Sequence, residues 1–286
     1  MNDSDLLVKP GELVKLKKLK TDSWLGFKGK KDSKKFVERR ALKLGEYQNL
    51  LYAQGRYGVL VIVQAMDAAG KDTCVRNVFS EIDPHGFNVV SFKRPSEEAL
   101  NHDWIWRHTP HLPARGHITV WNRSWYEEMV VVRVHPEFLA KQNLPPETMN
   151  DIWTNRFRDI NNFEEYLTRN GIVILKFFLH LSKSEQTARF TQRIEIKEKN
   201  YKFSAGDIGE RLRWKEYMKA YEAVLSKTST KHAPWYVVPA DHKWVTRAAV
   251  ADIVVKRLKR MKLRYPVIPL ERRRELLVLK DDLKHK

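Results

Sequence analysis

Residues 58–73 constrain the fold of this chain more than any other stretch. They read Gly-Val-Leu-Val-Ile-Val-Gln-Ala-Met-Asp-Ala-Ala-Gly-Lys-Asp-Thr, an apolar run followed by small residues and then by Gly70 and Lys71. The run from Val59 to Val63 predicts a buried strand, and the residues after Gly70 predict a helix. Small residues at a helix N-terminus let backbone N–H groups close around an anion. The stretch therefore predicts a phosphate-binding loop.

This loop departs twice from the strict P-loop pattern of Gly, four residues, Gly-Lys and then Ser or Thr. Ala65 replaces the first glycine, and Asp72 takes the hydroxyl position, with Thr73 one place later. The hydroxyl that usually contacts magnesium is therefore not assured, whereas Asp67 is a carboxylate inside the loop and the best candidate for a metal ligand. The alternative interpretation is an ordinary strand-turn-helix connection with an unrelated lysine.

The charge of the chain narrows the class of its partners. Lys and Arg number 53 against 35 Asp and Glu, which gives a formal net charge of +18. Nucleic acid, an anionic membrane and inorganic or nucleotide phosphates all fit this surplus, and so does an evenly solvated basic surface. The single cysteine, Cys74, excludes an intrachain disulfide. Because no apolar run has the length of a signal peptide or a spanning helix, we expect a cytoplasmic protein.

Apolar runs that alternate with helical patterns predict an α/β fold built from βαβ units around a parallel sheet. Strands are predicted at 59–63, 87–92, 118–121, 172–178 and 235–238. Helices are predicted at 34–56, 73–82, 96–107, 147–168, 183–197, 207–225 and 246–261. We expect one domain over 34–262. An extended basic arm outside the core precedes it at 1–33, and a charged tail of doubtful order follows at 263–286.

Polar and basic residues follow two of the predicted strands at the point where each strand ends. Lys71 comes after the first strand, and Asn122 and Arg123 come after the third. Ligands of open parallel sheets bind outside the carboxyl ends of the strands, so these side chains are expected to face one crevice. Phosphoryl transfer requires cations around the moving group, and this crevice would provide them.

A second group of cations lies on a predicted helix and in the turn that follows it. Arg189 and Arg193 are four residues apart, which places them on one face of the helix, and Lys199 and Lys202 come next. These residues are a candidate lid over the crevice, at about 183–213. A solvated basic helix face is the alternative.

Four motifs, in the right order, resemble those of the polyphosphate kinase 2 family. They are Ala65-Met-Asp-Ala-Ala-Gly-Lys, Phe92-Lys-Arg-Pro-Ser-Glu-Glu with His102-Asp103 and Trp106-Arg107, Asn122-Arg-Ser-Trp-Tyr-Glu, and Pro234-Trp-Tyr-Val-Val-Pro-Ala-Asp-His-Lys-Trp. The resemblance covers about residues 42–258. It implies a three-layer α/β/α sandwich of the P-loop kinase type, similar to thymidylate kinase, with a helical lid. It also implies phosphoryl transfer between inorganic polyphosphate and nucleotides with Mg²⁺, or with Mn²⁺ in its place.

The resemblance and the loop together assign roles to individual residues. The catalytic residues are predicted to be Asp67, Lys71, Arg123 and Glu127, with Asp67 as the metal ligand. The phosphate chain is predicted to contact Ala68, Ala69, Gly70, Lys71, Asp72, Thr73, Arg123, Arg189, Arg193 and Lys202. The nucleotide is predicted to contact Lys93, Arg94, Arg107, Asn122 and Glu127.

Two of these assignments depend on details of the third motif. Many members of the family carry Asp where this chain has Asn122, which leaves its role as a direct metal ligand open. The Asn-Arg-Ser sequence followed by Glu127 resembles the class III branch, whose members accept both AMP and ADP. From the residues alone, a carboxylate that caps a helix N-terminus is an alternative role for Glu127.

The predicted partners are therefore inorganic polyphosphate and AMP, ADP or ATP, with guanine nucleotides as further candidates. Neither a specific nucleic acid nor a membrane is an expected partner. The chain is expected to form a homo-oligomer, either a dimer or a tetramer. A polyphosphate chain carries about one negative charge per phosphate, so a basic groove gains affinity through counterion release. Two rival functions stay open: an ATP-dependent nucleotide or small-metabolite kinase, and a non-catalytic polyanion-binding protein.

Overall fold

Five parallel strands form the central sheet in the computed structural model of the protein. The structure is described for residues 2–283. The strands are β1 Gly58–Ala65, β2 Phe87–Ser91, β3 Ile118–Asn122, β4 Ile172–His180 and β5 Trp235–Pro239. They lie side by side in the order β2-β3-β1-β4-β5, and every neighbouring pair is parallel. All five predicted strands are confirmed to within two residues at each end.

Helices cover both faces of this sheet. They are α1 Lys30–Gln54, α2 Lys71–Val78, α3 Glu97–Leu100, α4 Glu127–Val134, α5 Pro136–Ala140, α6 Ile152–Arg169, α7 Lys183–Glu195, α8 Gly206–Leu212, α9 Trp214–Thr228, α10 Lys243–Arg260 and α11 Leu270–Asp282. Helices α1, α2 and α10 pack on one face, and α4, α6 and α9 on the other. The predicted three-layer sandwich is confirmed.

Strand β1 contributes to both cores because successive side chains of a strand point to opposite faces. Val59, Val61 and Val63 lie in the core beneath α1, α2 and α10, whereas Leu60 and Ile62 lie in the core beneath α4, α6 and α9. This double burial explains why the run is apolar throughout rather than alternating.

The registers of the sheet bring the ends of β1 and β3 together. Val63 of β1 lies opposite Asn122 of β3, and the N–H of Arg123 donates to the carbonyl oxygen of Val63 at 3.1 Å. The loop that follows β1 and the polar residues that follow β3 therefore face the same crevice, as the sequence predicts.

Several predicted helices differ from the structure. The helix predicted at 96–107 ends at Leu100, because the Asp103 carboxylate accepts the N–H groups of Ile105 and Trp106 at 2.9 and 3.2 Å and starts a separate 3₁₀ turn. The helix predicted at 207–225 is divided into α8 and α9 at Arg213. Helix α4 was missed since its valine-rich sequence has low helix propensity, and packing against α9 compensates for it.

The expectation of a basic arm outside the core is wrong for much of the N-terminal segment. Its four buried apolar residues are Leu6, Val8, Val14 and Leu16. The N–H of Val8 donates to the Trp235 carbonyl at 2.9 Å, and the N–H of Val237 donates to the Leu6 carbonyl at 2.8 Å. The segment thus covers the edge strand β5, whose backbone groups would otherwise be unpaired. Met1 lies outside the described residues.

The charged tail predicted at 263–286 contains helix α11, whose residues are all exposed. An ion pair between Arg272 and Glu275, with 2.7 Å between Nη1 and Oε2, lies within its first turns. Residues 284–286 of the predicted tail lie outside the described part of the chain. In residues 2–283, none of the helices carries an apolar stretch that could cross a bilayer.

A buried ion pair joins β4 to α6. Lys176 and Glu164 have fully buried side chains with 2.5 Å between Nζ and Oε2. Lys176 Nζ also donates to Tyr126 Oη at 2.8 Å and to the Thr228 carbonyl at 2.7 Å, so its three N–H groups all have acceptors. Burial lowers the pKa of Lys176 and raises the pKa of Glu164, and the mutual attraction opposes both shifts. Each buried charge is stable only while its partner is present, so removal of either one destabilises the fold.

Lys176→Met is expected to lower the free energy of unfolding by about 3–5 kcal/mol, because it leaves Glu164 buried without its cation. Urea denaturation measures this loss. The double variant Lys176→Met, Glu164→Leu is expected to recover more than half of the loss, since no charge then remains buried. A double variant as unstable as the single one would contradict the argument.

Candidate active site

The loop between β1 and α2 has the backbone geometry of an anion-binding turn. Ala68 and Gly70 have φ angles of +62° and +96°, in the left-handed region that glycine enters freely and alanine at a cost of about 1–2 kcal/mol. Helix α2 begins at Lys71, and its N-cap residue Gly70 has no side chain that could cap the helix. Its first N–H groups are therefore available to a ligand, and the helix dipole favours a negative one.

Lys71 lies within this loop, where burial disfavours its charged form. Its side chain is buried, with Nζ donating to the carbonyl oxygen of Ala65 at 3.2 Å. Burial, followed by repulsion from Arg123, lowers the pKa of Lys71. The charges of Asp67, Glu127 and Asp72 oppose this shift, and an anion bound beside the ammonium group would favour its charged form further.

Arg123 connects the loop to α4. Its Nη2 donates to Asp67 Oδ1 at 2.9 Å, and its Nη1 donates to Glu127 Oε2 at 3.2 Å. Gln64 Nε2 donates to the other oxygen of Glu127 at 2.9 Å. The charges of Glu127 and Asp67 raise the pKa of Arg123 further above its usual range. The structure thus brings three of the predicted catalytic side chains into direct contact.

Asn122 lies beside the start of α2. Its Nδ2 donates to Asp72 Oδ1, and its Oδ1 is buried with no hydrogen-bond partner among the described residues. Thr73 Oγ1 donates to the Gly70 carbonyl at 3.0 Å. Since the side chains of Asp72 and Thr73 are engaged within the protein, their contribution to phosphate binding would come from their backbone N–H groups.

A cavity of about 430 Å³ opens next to Asp67 and Arg123. The predicted nucleotide-binding residues in its wall are Lys93, Arg94, Arg107 and Glu127. Asn122 does not line this cavity; it faces a smaller depression beside α2. Four of the five predicted contacts thus share one cavity that ends at the phosphate-binding loop.

Arg107 is held in the wall of this cavity by two contacts. Its Nη2 donates to the Lys93 carbonyl at 2.6 Å, and its guanidinium lies 5.5 Å from the ring centre of Phe92. Burial lowers the pKa of Arg107, and the charge of Glu127 opposes this shift. Arg107 therefore adds positive charge to the wall of the cavity.

Two acidic residues of the segment predicted as a lid were not among the predicted site residues. Asp207 and Glu210 of α8 line the cavity. Asp207 Oδ2 lies 3.4 Å from Arg193 Nη1, while burial and the charge of Asp67 raise the pKa of Asp207. Glu210 Oε2 lies 2.9 Å from His135 Nε2 and accepts the hydroxyl of Tyr217. The three-residue spacing of the two acids within one helix was the available signal.

The prediction that Arg189 contacts phosphate is wrong in this structure. Its guanidinium is buried and donates to the carbonyl oxygens of Ala68, Ala69, Ala240 and Asp241 and to Glu185 Oε1. Arg193 and Lys202 lie in the segment predicted as a lid, where Arg193 Nη1 donates to the Lys202 carbonyl at 3.0 Å. Sequence spacing placed Arg189 and Arg193 on one face but could not show that one of them is buried.

Other cations near the loop come from α10. Lys243 Cε lies 3.9 Å from the position that a Cβ of Gly70 would occupy. Burial and the charges of Arg189, Lys199 and Arg247 lower the pKa of Lys243. Lys243 and Arg247 were not predicted as site residues, although Lys243 belongs to the motif that begins at Pro234.

A family model described as Polyphosphate kinase 2 matches residues 28–266. The chain belongs to the polyphosphate kinase 2 family. Two curated relatives match nearly its whole length. An ADP-polyphosphate phosphotransferase of Rhodopseudomonas palustris is 46% identical over 96% of this chain and 95% of the relative. An AMP/ADP-polyphosphate phosphotransferase of Meiothermus ruber is 41% identical over 91% of this chain and 94% of the relative.

A solved structure of the polyphosphate kinase 2 family shares the fold. The crystal structure of polyphosphate kinase 2 from Arthrobacter aurescens superposes with a TM-score of 0.85 and 36% sequence identity, and the match covers 96% of this chain and 95% of that one. The predicted P-loop kinase-like fold and family are both confirmed. The loop, the third-strand residues and the lid described above thus form the candidate active site of a polyphosphate kinase 2 family member.

Cys74, on α2 of this family member, is expected to resist thiol reagents in the folded protein. Burial raises the pKa of its thiol from 9.0 to about 12. Only the thiolate reacts, so at about pH 8 the thiolate fraction of Cys74 is about a thousandfold lower than that of a thiol with a pKa of 9.0. The thiolate fraction, and with it the rate of labelling, rises as the pH rises. Labelling with a chromogenic disulfide, with and without concentrated guanidinium chloride, measures the difference. Rapid labelling of the native protein would contradict this expectation.

Proposed function

We propose that this polyphosphate kinase 2 family member transfers phosphoryl groups from inorganic polyphosphate to AMP and ADP, which gives ADP and ATP. The observation that carries the proposal is the junction of two anion-binding regions at Asp67 and Arg123. The loop of Lys71 lies on one side of this junction, and the cavity lined by Lys93 and Arg107 on the other. The names of both curated relatives support polyphosphate as the donor.

We propose an in-line transfer. An oxygen of the nucleotide's terminal phosphate attacks the end phosphorus of polyphosphate, the new P–O bond forms, and the bond to the next phosphate breaks, which leaves a chain one unit shorter. Lys71 and the loop N–H groups would hold the donor, and Arg123 would leave one of its carboxylate partners to contact the moving group. The protein supplies positioning and positive charge rather than covalent catalysis.

The donor would continue across the basic residues around Gly70. Burial lowers the pKa of Lys243, and Lys199 and Arg247 lie close enough to Lys243 for their charges to lower it further. Arg193 and Lys202 of the lid add further positive charge. A polyphosphate chain laid over this cluster would release counterions, so its apparent affinity should fall steeply as salt rises.

We propose Mg²⁺, with Mn²⁺ as a substitute, as the metal, because the oxygen atoms near the loop fit such an ion. Asp67 offers a carboxylate, and the buried Oδ1 of Asn122 lacks a hydrogen-bond partner among the described residues. Residues 2–283 contain no group of three or more His, Cys, Asp or Glu that could hold a metal. Mg²⁺ usually takes one or two protein carboxylates and fills its remaining positions with phosphate and water oxygens. When bound, the ion would neutralise phosphate charge.

Acceptance of both AMP and ADP is the finer part of the proposal. The names of the two relatives differ on this point, since one names ADP alone and the other both nucleotides. We assign both acceptors, and the class III branch, because Glu127 follows the Asn-Arg-Ser motif and lines the cavity. Guanine nucleotides are further candidate acceptors.

We also propose a cytoplasmic homo-oligomer, a dimer or a tetramer. The one cysteine is a free and buried thiol, as is common in reducing compartments. Leu42 and Tyr52 of α1 have 59% and 53% of their surfaces exposed, and Leu276 and Leu277 of α11 are also exposed. Apolar residues of this size on two helices are candidates for contacts between copies. Light scattering of the purified protein measures the assembly.

The direct test incubates AMP, ADP and GDP separately with polyphosphate and magnesium and identifies the products. We expect ADP and ATP from AMP, and ATP from ADP. A parallel set with ATP in place of polyphosphate tests the rival ATP-dependent kinase. Product formation only with ATP, or salt-sensitive binding of DNA without any transfer, would refute the proposal. Turnover of ADP but not AMP would refute the class III assignment alone.

A further inference from the structure

Two side chains of α7 hold the backbone of the phosphate-binding loop from outside. Gln186 Nε2 donates to the carbonyl oxygen of Asp67 at 3.0 Å. Arg189 Nη1 donates to the carbonyl oxygens of Ala68 and Ala69, both at 2.9 Å. Gln186 and Arg189 are 1% and 5% exposed, so these bonds are shielded from water. Three consecutive carbonyl groups of the loop are therefore held by one helix.

All the N–H donors of the Arg189 guanidinium are used in hydrogen bonds within the protein. Its Nη2 donates to the carbonyl oxygens of Ala240 and Asp241 at 2.6 and 2.9 Å, and its Nε donates to Glu185 Oε1 at 2.8 Å. A guanidinium group has five N–H donors, and all five have acceptors here. Arg189 thus ties the loop to the segment after β5, and it has no free donor for a phosphate.

The carbonyl contacts determine where the loop N–H groups point. In a planar trans peptide the C=O and the following N–H point in opposite directions. The carbonyl oxygens of Asp67, Ala68 and Ala69 accept hydrogen bonds from α7. The N–H groups of the residues that follow them, Ala68, Ala69 and Gly70, therefore point away from α7. Of these, the N–H of Ala69 makes only a long contact of 3.4 Å to the Met66 carbonyl. The loop therefore presents donors before any anion is bound.

Gln186 also connects the loop to the lid helix α8. Its Oε1 accepts a hydrogen bond from Arg211 Nη1 at 2.8 Å. Arg211 is itself fixed on α7 through the Lys183 carbonyl at 2.9 Å and Thr187 Oγ1 at 2.6 Å. One amide group thus contacts the lid through its oxygen and the loop through its nitrogen.

We propose that Gln186 and Arg189 are positioning residues, which hold the loop in its anion-binding conformation before polyphosphate arrives, and that Arg211 couples this conformation to helix α8. Neither side chain contacts the substrate. The proposal rests on the proposed function in one respect, that the anion is polyphosphate. Prearranged donors improve affinity because less conformational freedom is lost on binding.

The test compares Gln186→Met with Gln192→Met, which makes the same change at an exposed position of α7. Without ligand, we expect amide hydrogen exchange at residues 68–70 to become about tenfold faster in Gln186→Met, as the loss of one buried hydrogen bond predicts. The KM for polyphosphate should rise by about the same factor, whereas kcat and the KM for ADP should stay within about twofold of wild type. Gln192→Met should match wild type in each measurement.

Gln186→Glu separates loop positioning from packing and from contact with the lid. A carboxylate can still accept from Arg211, but it cannot donate to the Asp67 carbonyl. We therefore expect Gln186→Glu to show faster exchange and a raised KM, as Gln186→Met does. If Glu restores wild-type values, or if both variants lose kcat without any change in exchange or KM, the proposal is overturned.

Two further measurements keep the outcome unambiguous. Arg211→Leu changes a partly exposed residue, and we expect it to shift exchange and KM in the same direction by a smaller factor; unchanged values in Arg211→Leu would remove the coupling to α8. Absence of ATP formation from ADP and polyphosphate in the wild-type protein would instead refute the proposed function, and the exchange comparison would still test the positioning of the loop.

Discussion

Lys71→Met is expected to lower kcat/KM for ATP formation from ADP and polyphosphate by roughly a hundredfold to a thousandfold, the usual effect of removing one preorganised charge donor. Lys71 is the cation inside the loop between β1 and α2, where Nζ donates to the Ala65 carbonyl. Methionine keeps the aliphatic stem and removes only the charge. The transferring phosphoryl group would then lack a cation on the donor side.

The same variant is expected to keep its stability. Burial lowers the pKa of Lys71, which means that folding disfavours the charged ammonium group. Replacing it with a neutral side chain of similar volume therefore does not reduce the free energy of unfolding. Thermal unfolding and product formation, measured on the same sample, separate lost chemistry from lost folding.

Lys219→Met provides the matched control for this experiment. Lys219 is exposed on α9 and does not line the cavity, so its variant should retain wild-type activity. Activity of Lys71→Met within about tenfold of wild type would contradict the role of Lys71, because removal of a charge donor at the reacting group costs more than that.

Asp67→Asn is expected to reduce activity by a similar factor, for a different reason. The Asp67 carboxylate faces Arg123 Nη2 at 2.9 Å and is the proposed protein ligand for Mg²⁺. An amide oxygen binds a hard cation more weakly than a carboxylate does, so the Mg²⁺ concentration for half-maximal activity should rise by about tenfold or more. Initial rates over a range of Mg²⁺ concentrations measure both effects.

The metal titration also shows which role of Asp67 matters. If Asp67 only orients Arg123, the variant loses activity at every Mg²⁺ concentration and its half-maximal concentration does not move. Asp22→Asn, at an exposed position far from the loop in sequence, is the control and should behave as wild type. An unchanged half-maximal Mg²⁺ concentration in Asp67→Asn would refute Asp67 as a ligand.

Much of the candidate site follows from local sequence. The apolar run of β1, the small residues after it and Lys71 predict a strand, a turn and a helix within 16 residues, and the structure has all three. The sequence also predicted that Arg123, which follows β3, lies near this loop, because parallel strands bring their carboxyl ends to one edge of the sheet. These features depend on short segments and on one rule of topology.

Other features depend on contacts between distant segments. In the sequence, the helical spacing of Arg189 is that of an arginine on an exposed helix face. In the structure, the loop and the residues after β5 surround its side chain. The N-terminal segment is rich in lysine, yet its few apolar residues cover the edge of β5. The partners that decide burial in both cases lie more than 50 residues away in the chain.

The sequence alone determined the strand pattern, the strand-turn-helix of residues 58–73 and the resemblance to the polyphosphate kinase 2 family, because each is encoded in a short run of residues. Only the tertiary structure decided which cations face the crevice and which of them support it. A charged side chain has the same local signature in both roles. Its role depends on whether carbonyl oxygens from other segments take up its donors, as they do for Arg189, or leave them free for a ligand.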